Sequence, residues 1–317
     1  MKIVIAGGSG QVGTMLARHF HQEGHQVLVL SRCVRNTPWQ TCTWDGATLG
    51  PWVAEVDGSE VWINLAGRSV NCRYNQKNRR EIPNSRVQST LVLHEAIQRI
   101  DHPPSVWLNA STATIYRHAL DRAMDEATGE LGGGEPGAPD TWNFSIEVAK
   151  AWEAAFFSVQ TPRTRQVALR SAMTFSPDRG GVFDVFSKLV RCGLGGTNLP
   201  GTQFVSWIHE VDFIRAVEFL IAAPTVAGPV NLASPHPLRN SQFLRILRKA
   251  WGVPFGLPAL PWMLEMGTFL LRTESELVLK SRRVVPGRLL EEGFAFQYPT
   301  WDKAAAELVA RSRMDAA

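Results

Sequence analysis

The sequence predicts an α/β protein: a doubly wound parallel sheet with a smaller, mostly helical region toward the C-terminus. Three observations carry this. Short apolar runs alternate with helix-patterned segments through the first half of the chain. A glycine-rich turn separates the first apolar run from the first helical pattern. The alternation stops after residue 230. Strand–helix–strand repetition means parallel strands with helices on both faces.

The elements follow in order. "KIVIAG" (2–7) reads as a buried strand. "QVGTMLARHFHQEG" (11–24) carries Val12, Met15, Leu16 and Phe20 at helical spacing, and Gly24 ends it as a C-cap glycine does. "HQVLVLSR" (25–32) is the second strand, and a third precedes "WDG" (44–46). "EVWINLAG" (60–67), "SVWLNAST" (105–112) and "RQVALRSA" (165–172) are further strands, with helices over 85–100 and 145–160. The Gly/Pro-rich stretch 128–140 is a loop, and glycines crowd again over 179–201. A sheet domain over 1–175, to which 205–235 returns, leaves 176–204 and 236–317 as the substrate-side region and a small C-terminal domain. The chain shows no tandem repeat and no long linker.

Bulk properties exclude several function classes. The formal net charge of +4 is spread thinly and no Lys/Arg-rich run occurs, so nucleic acid is not the expected partner. Cys33, Cys42, Cys72 and Cys192 make no CxxC and no metal spacing; no metal is expected, and isolated thiols suit a reducing compartment. The chain opens on a strand rather than a leader, and no apolar run reaches the ~18–20 residues of a membrane span, so a cytoplasmic monomer or homodimer is expected. Most of the eleven tryptophans are expected in the core.

"GGSGQVG" is the strongest motif. Gly7, Gly10 and Gly13 form GxxGxxG between a strand and a helix. In a dinucleotide site the first glycine allows the tight turn, the second lets backbone approach a pyrophosphate, and the third lets the helix pack closely. The helix N-terminus offers N–H groups and a positive dipole to phosphate, so Ser9, Gln11 and Val12 join the expected cofactor contacts. NAD sites end the second strand with an acid for the ribose hydroxyl. Here that strand ends in Ser31 and Arg32, with Arg35 nearby and no acid before Asp45. A cation there suits the 2′-phosphate of NADP(H). Asp45 either borders the adenine or serves an ordinary turn. Leu65, Ala66 and Gly67 are small or apolar residues at a strand end, where backbone can approach the cofactor.

Together "GGSGQVG", "INLAG", "NSRVQST" (84–90), "KAWEAA" (150–155), "GLGG", "SWIHEVD" (206–212), "GPVNLASPHPLRNSQF" (228–243) and "RRVVPGRLLEEGFAFQYPT" (282–300) resemble the extended and atypical short-chain dehydrogenase/reductases. The resemblance is to the epimerase-like branch with its own small C-terminal domain, and it spans nearly the whole chain. It implies a Rossmann-type domain, NADP(H), and a small-molecule substrate such as a nucleotide sugar. It also places Arg86, Ala110 and Ala172 at the cofactor.

In that superfamily a Ser or Thr orients the substrate oxygen, a Tyr moves the proton, and a Lys lowers the Tyr pKa and holds the ribose. Carried over, Thr112 takes the hydroxyl place, with Ser111 before it, and Lys150 takes the lysine place. The tyrosine place is Ile146, which moves no proton. Tyr116 and His209 are two candidates to replace it, each with a packing role as the alternative. Glu147 and Glu153 read as surface or ion-pair residues. On the substrate side, Arg170 faces a phosphate or holds a loop, while Gln203 and Trp207 line a pocket unless Trp207 belongs to the core. Two functions follow: an NADP(H)-dependent oxidoreductase or epimerase, or a non-catalytic NADP(H)-binding redox sensor or interaction protein.

Overall fold

Side-chain alternation along β1 (Lys2–Ala6) divides the molecule. Ile3 and Ile5 enter one core, while Val4 and Ala6 enter another. In this computed structural model, which describes residues 1–197, 200–258 and 279–314, the two cores lie on opposite faces of one parallel sheet.

The sheet holds β1, β2 (Gln26–Ser31), β3 (Gln40–Thr43), β4 (Val61–Asn64), β5 (Val106–Thr112), β6 (Arg165–Ser171) and β10 (Gly228–Leu232). Its order is β10-β6-β5-β4-β1-β2-β3, and every neighbouring pair is parallel. Order reverses beside β1, where doubly wound sheets leave a crevice at the strands' carboxyl ends. On one face α1 (Gln11–Gln22) and α6 (Glu210–Ala222) bury Met15, Leu16, Phe20, Phe213, Val217 and Leu220. On the other, α2 (Trp52–Val56), α3 (Gln76–Arg99) and α4 (Asp140–Phe157) cover Trp62 and Trp107.

One element departs from expectation. The helix expected over 85–100 begins at Gln76 and runs through Pro83. Proline forfeits one backbone hydrogen bond and ordinarily breaks a helix. Here the turn before it is secured: the Asn75 side chain accepts from the Asn78 amide at 2.9 Å.

A third core lies outside the sheet. Into it pack β7 (Met173–Phe175), α5 (Val182–Arg191), β8 (Phe204–Val205), β9 (Trp207–His209), β11 (Leu238–Arg239), α7 (Asn240–Trp251) and α9 (Trp301–Met314). Phe243 stacks on Trp301 at 4.3 Å, and Phe175 stacks on Phe243 at 5.6 Å. The short α8 (Gly287–Glu291) packs on β10. Residues 198–199, 259–278 and 315–317 of the expected substrate-side region lie outside those described.

Candidate functional site

The glycine turn follows β1. Gly7 has φ of 72°, and a Cβ there would fall 2.7 Å from Ala66 backbone, so the turn seats directly on the end of β4. A Cβ on Gly13 would fall 2.5 Å from Gly8 Cα; its close contact is with the turn itself rather than with the sheet. Gly10 differs, since its nearest neighbour would be Gly7 O at 3.7 Å. It faces space. Gly10 caps α1 without a side-chain hydrogen bond, and no acid lies in the first turn. The first amide groups therefore point outward, a ready anion site. Val12 packs beneath against the sheet core. The Gln11 side chain meets Gly181, where a Cβ would fall 2.0 Å from Nε2, and that buried Nε2 has no hydrogen-bond partner. A buried amide donor without an acceptor is costly unless something fills the place. A phosphate oxygen fits it.

The end of β2 adds hydroxyls and cations. Ser31 Oγ donates to Ser9 Oγ at 3.1 Å, and Arg35 Nη1 donates to the Ser9 carbonyl at 3.2 Å. Exposed Arg32 lines an open cleft with Thr43, Trp44 and Asp45. Asp45 takes the turn reading: Oδ1 accepts from the Ala47 and Thr48 amides at 2.8 Å, and Oδ2 from the Thr48 hydroxyl at 2.5 Å. These bonds hold its carboxyl below the usual range, the Thr48 hydroxyl foremost. Trp44 is buried edge-on against Trp52.

At the ends of β4 and β5 the sheet register places Asn64 beside Asn109, and Asn64 Nδ2 donates to Asn109 Oδ1 at 2.7 Å. Asn64 Oδ1 in turn accepts from the Ala66 amide at 3.0 Å, while the Leu65 amide bonds Ala6 O at 2.8 Å. This pair shapes the Leu65–Gly67 backbone, and the sequence reading passed over it. The available signal was an asparagine at the same place in two apolar runs. Gly67 lies under Arg86, where a Cβ would meet the guanidinium at 3.2 Å. Arg86 donates to the Arg68 and Ile82 carbonyls and lies over the Trp152 ring at 5.1 Å. Burial pulls its pKa down to about 10.

The structure separates the catalytic candidates. Thr112 ends β5 half-buried and caps the following turn, its Oγ1 accepting from the Thr114 amide at 3.2 Å. Ala110 lies partly exposed just before it, and the Ala172 amide bonds Leu232 O. Ser111 points the other way, donating to Glu153 Oε1 at 2.5 Å. Glu153 is buried, not on the surface, and holds Arg170 through both oxygens at 2.9 and 2.8 Å. Arg170 also donates to the Tyr116 hydroxyl at 2.9 Å, and that hydroxyl donates to Asn231 at 3.0 Å. So Arg170 and Ser111 join α4 to the sheet rather than facing a ligand, and Tyr116 takes its packing role. Burial pushes the Tyr116 phenol up, away from acid/base work near neutral pH.

His209 also proves structural. It is fully buried at the start of α6, where Nδ1 accepts from the Val211 amide and Nε2 pairs with Glu307 at 2.8 Å. Trp207 belongs to the third core, with Nε1 on the His236 carbonyl and the ring against Trp301 at 5.0 Å. Gln203 is buried, and its backbone carbonyl accepts from the Asn240 amide. Ile146 is buried in α4 beneath Gly132. Lys150 Nζ lies 3.3 Å from exposed Glu147.

A glycine turn opening α1 beside the point where the strand order reverses defines a Rossmann-type α/β protein. Within that class, the chain belongs to the NAD dependent epimerase/dehydratase family, whose model matches residues 3–233. Residues 261–308 match the model of a domain of unknown function, DUF1731. Human epimerase family protein SDR39U1 is 28% identical over 313 residues, which cover 98% of this chain and 100% of that one. The Bacillus subtilis epimerase family protein YfhF is 27% identical over 315 residues, 98% of each chain. The crystal structure of human SDR39U1 (isoform 2) with NADPH superposes with a TM-score of 0.85 at 27% identity, covering 98% of this chain and 99% of that one. A UDP-N-acetylglucosamine 4-epimerase from Bacillus cereus, at 17% identity and TM-score 0.76, shares the fold. Among the described residues, no helix is long and apolar enough to cross a membrane.

Proposed function

We propose that this protein is an NADP(H)-dependent oxidoreductase or epimerase acting on a hydroxylated small molecule, with a nucleotide sugar as the first class to test. The observation that carries the cofactor is the end of β2. Arg32 and Arg35 stand beside Ser9 and Ser31, and the first acid after that strand, Asp45, spends its oxygens on its own turn. The human relative crystallised with NADPH supports this reading. Gly7, Ser9, Gly10, Gln11 and the first amides of α1 would hold the pyrophosphate, and Arg32, Arg35 and Ser31 the 2′-phosphate. Leu65–Gly67, Ala110 and Ala172 would border the nicotinamide half. When bound, the cofactor accepts or donates hydride. Thr112 would orient the substrate oxygen, and Lys150 would reach the ribose.

The second reading, a non-catalytic NADP(H) sensor or interaction protein, draws on Ile146, which leaves the family's proton position apolar. One experiment separates them. The protein is titrated with NADPH and NADH by fluorescence, then incubated with NADP⁺ and a panel of nucleotide sugars and simple alcohols. Tighter NADPH binding with substrate-dependent NADPH formation or a new sugar epimer, lost in Thr112→Ala, establishes the enzyme. Equal affinity for NADH overturns the NADP(H) assignment. Tight NADPH binding with silence across the panel, together with a proteolysis pattern that differs between NADP⁺ and NADPH, favours the sensor.

A further inference from the structure

Two helices, not one, start beside the glycine turn. α1 begins at Gln11 of the sheet domain, and α5 begins at Val182, after the loop that follows β7. The body of α5 lies in the third core, through Phe183 and Val190. Its amino end reaches out of that core. Gly181, the residue before α5, is buried, and a Cβ on it would fall 2.0 Å from Gln11 Nε2, 2.8 Å from Cδ and 2.9 Å from Oε1. The whole Gln11 carboxamide therefore lies on Gly181. Further along the same face of α1, Arg18 pairs with Asp178 at 3.5 Å. Residues 178–181 thus run along α1 and bring the start of α5 to the start of α1.

This contact gathers hydrogen-bond donors. Neither α1 nor α5 has a side-chain cap. The first amides of a helix lack intrahelical partners and carry the positive end of its dipole. Where the two ends meet, Gln11 Nε2 is buried and has no hydrogen-bond partner. The acids nearby are already paired. Asp178 holds Arg18, and Asp184 Oδ2 accepts from the Gly180 amide at 2.9 Å and from Lys188 Nζ at 2.8 Å. Two positive helix ends with a buried donor between them are unfavourable by themselves. An anion among them reverses that. Gly181 has φ of −82° and ψ of 174°, extended backbone that any residue adopts. The lack of a Cβ there therefore answers a steric need, the room taken by Gln11.

We propose that the amino end of α5 is a second wall of the dinucleotide pyrophosphate site. This wall presupposes the dinucleotide reading above and adds an element that the glycine motif does not contain. Gln11 Nε2 and the first amides of α5 would donate to the diphosphate together with the first amides of α1. The body of α5 belongs to the third core, so a cofactor held in this way fastens the substrate-side region to the sheet. Cofactor binding then orders the substrate side before any substrate arrives.

Affinities for NADPH and NADH, with the melting temperature of the cofactor-free protein, test the wall. Gln11→Glu keeps the shape of the side chain and replaces its amide donor with a carboxylate. Set against two helix amino ends, that charge should hold or raise the cofactor-free melting temperature. It should weaken NADPH and NADH alike by about tenfold or more, because the diphosphate is common to both. Gly181→Ala should also weaken both, its Cβ displacing the Gln11 carboxamide. Undiminished affinity in either variant overturns the proposal, as does a Gln11→Glu protein that melts lower without cofactor. A loss confined to NADPH in Gln11→Glu would move Gln11 to the 2′-phosphate and overturn it equally. The unmodified protein supplies an independent reading. Arg179 is exposed in the loop before α5, and Arg163 is exposed before β6, at the amino ends of the strands. Saturating NADPH should slow tryptic cleavage after Arg179 severalfold more than cleavage after Arg163. Equal protection at the two overturns the α5 wall, whether or not the variants fold. A wild-type protein that binds neither dinucleotide defeats the cofactor reading itself.

Discussion

The two ends of the site are built in opposite ways. Around the glycine turn, polar groups face outward: Gly10 opens on space, α1 has no side-chain cap, Gln11 Nε2 has no acceptor, and Arg32 is exposed. Between α4 and β6, polar groups close on one another: Ser111, Glu153, Arg170, Tyr116 and Asn231 form one buried chain of hydrogen bonds. A ligand site keeps donors unspent, while a structural network satisfies them internally. The comparison separates residues that a sequence motif lists side by side. Ser111 and Thr112 are neighbours, yet one belongs to the network and the other caps the turn that follows β5.

The largest effect expected from this contrast is on stability. Arg170→Met leaves the Glu153 carboxylate buried without its cation and should cost about 3–5 kcal/mol in denaturant unfolding. Adding Glu153→Gln should restore a substantial part of that loss, because the stranded charge is gone. A fully additive double variant would mean that the two residues act separately. The open end should behave in the reverse manner. Arg32→Ala should leave stability within about 0.5 kcal/mol. It should weaken NADPH, but not NADH, by about 1.5–3 kcal/mol, tenfold or more, the usual worth of a hydrogen bond to a charged group. Equal weakening of both would place Arg32 away from the 2′-phosphate.

How much of this was legible in the sequence depends on the range of the signal. The inner strands β1, β2, β4, β5 and β6 announce themselves because each carries an apolar run buried on both faces, unlike the edge strand β3, and the glycine turn because three glycines meet local steric demands. The early start of α3 was hidden by Pro83, which reads locally as a helix break although the helix runs through it. The buried network was hidden for a different reason. Glu153 and Arg170 meet only when α4 packs on β6, and nothing near Glu153 in the chain marks it as buried. Tyr74 and Ser145 are seventy-one positions apart, so their contact has no local trace. Position within a family motif pointed to Ser111, Tyr116 and His209; only the fold shows where their protons are committed.

A smaller effect lies in the pH dependence of the closed region. His94 Nε2 bonds the Phe156 carbonyl at 2.9 Å, and its buried Nδ1 has no partner. Burial lowers its pKa, as it does for His209. With the folded pKa below the unfolded ~6.5, the unfolded chain binds more protons as pH falls. Stability should therefore decline on acidification through about pH 6.5, until the folded histidines themselves protonate. His94→Gln should flatten that slope. A slope unchanged by the substitution would assign it to other groups.

The smallest expected effect on the fold is at Lys150, and it sharpens the comparison most. Lys150 lies on the same helix as Glu153, three positions away, yet its carboxylate contact is with exposed Glu147. Such a surface pair contributes about 0.3–0.5 kcal/mol at most. Lys150→Met should therefore unfold at nearly the wild-type denaturant midpoint while weakening NADPH binding, if the lysine reaches the ribose as proposed. A loss of stability comparable to Arg170→Met would mean that the closed network extends to Lys150. The boundary between the two ends would then lie outside α4, and the helix would be scaffold along that whole face. An unchanged midpoint with unchanged NADPH affinity would instead make Lys150 an ordinary solvated lysine, and the proposed role of α4 at the ribose would fall with it.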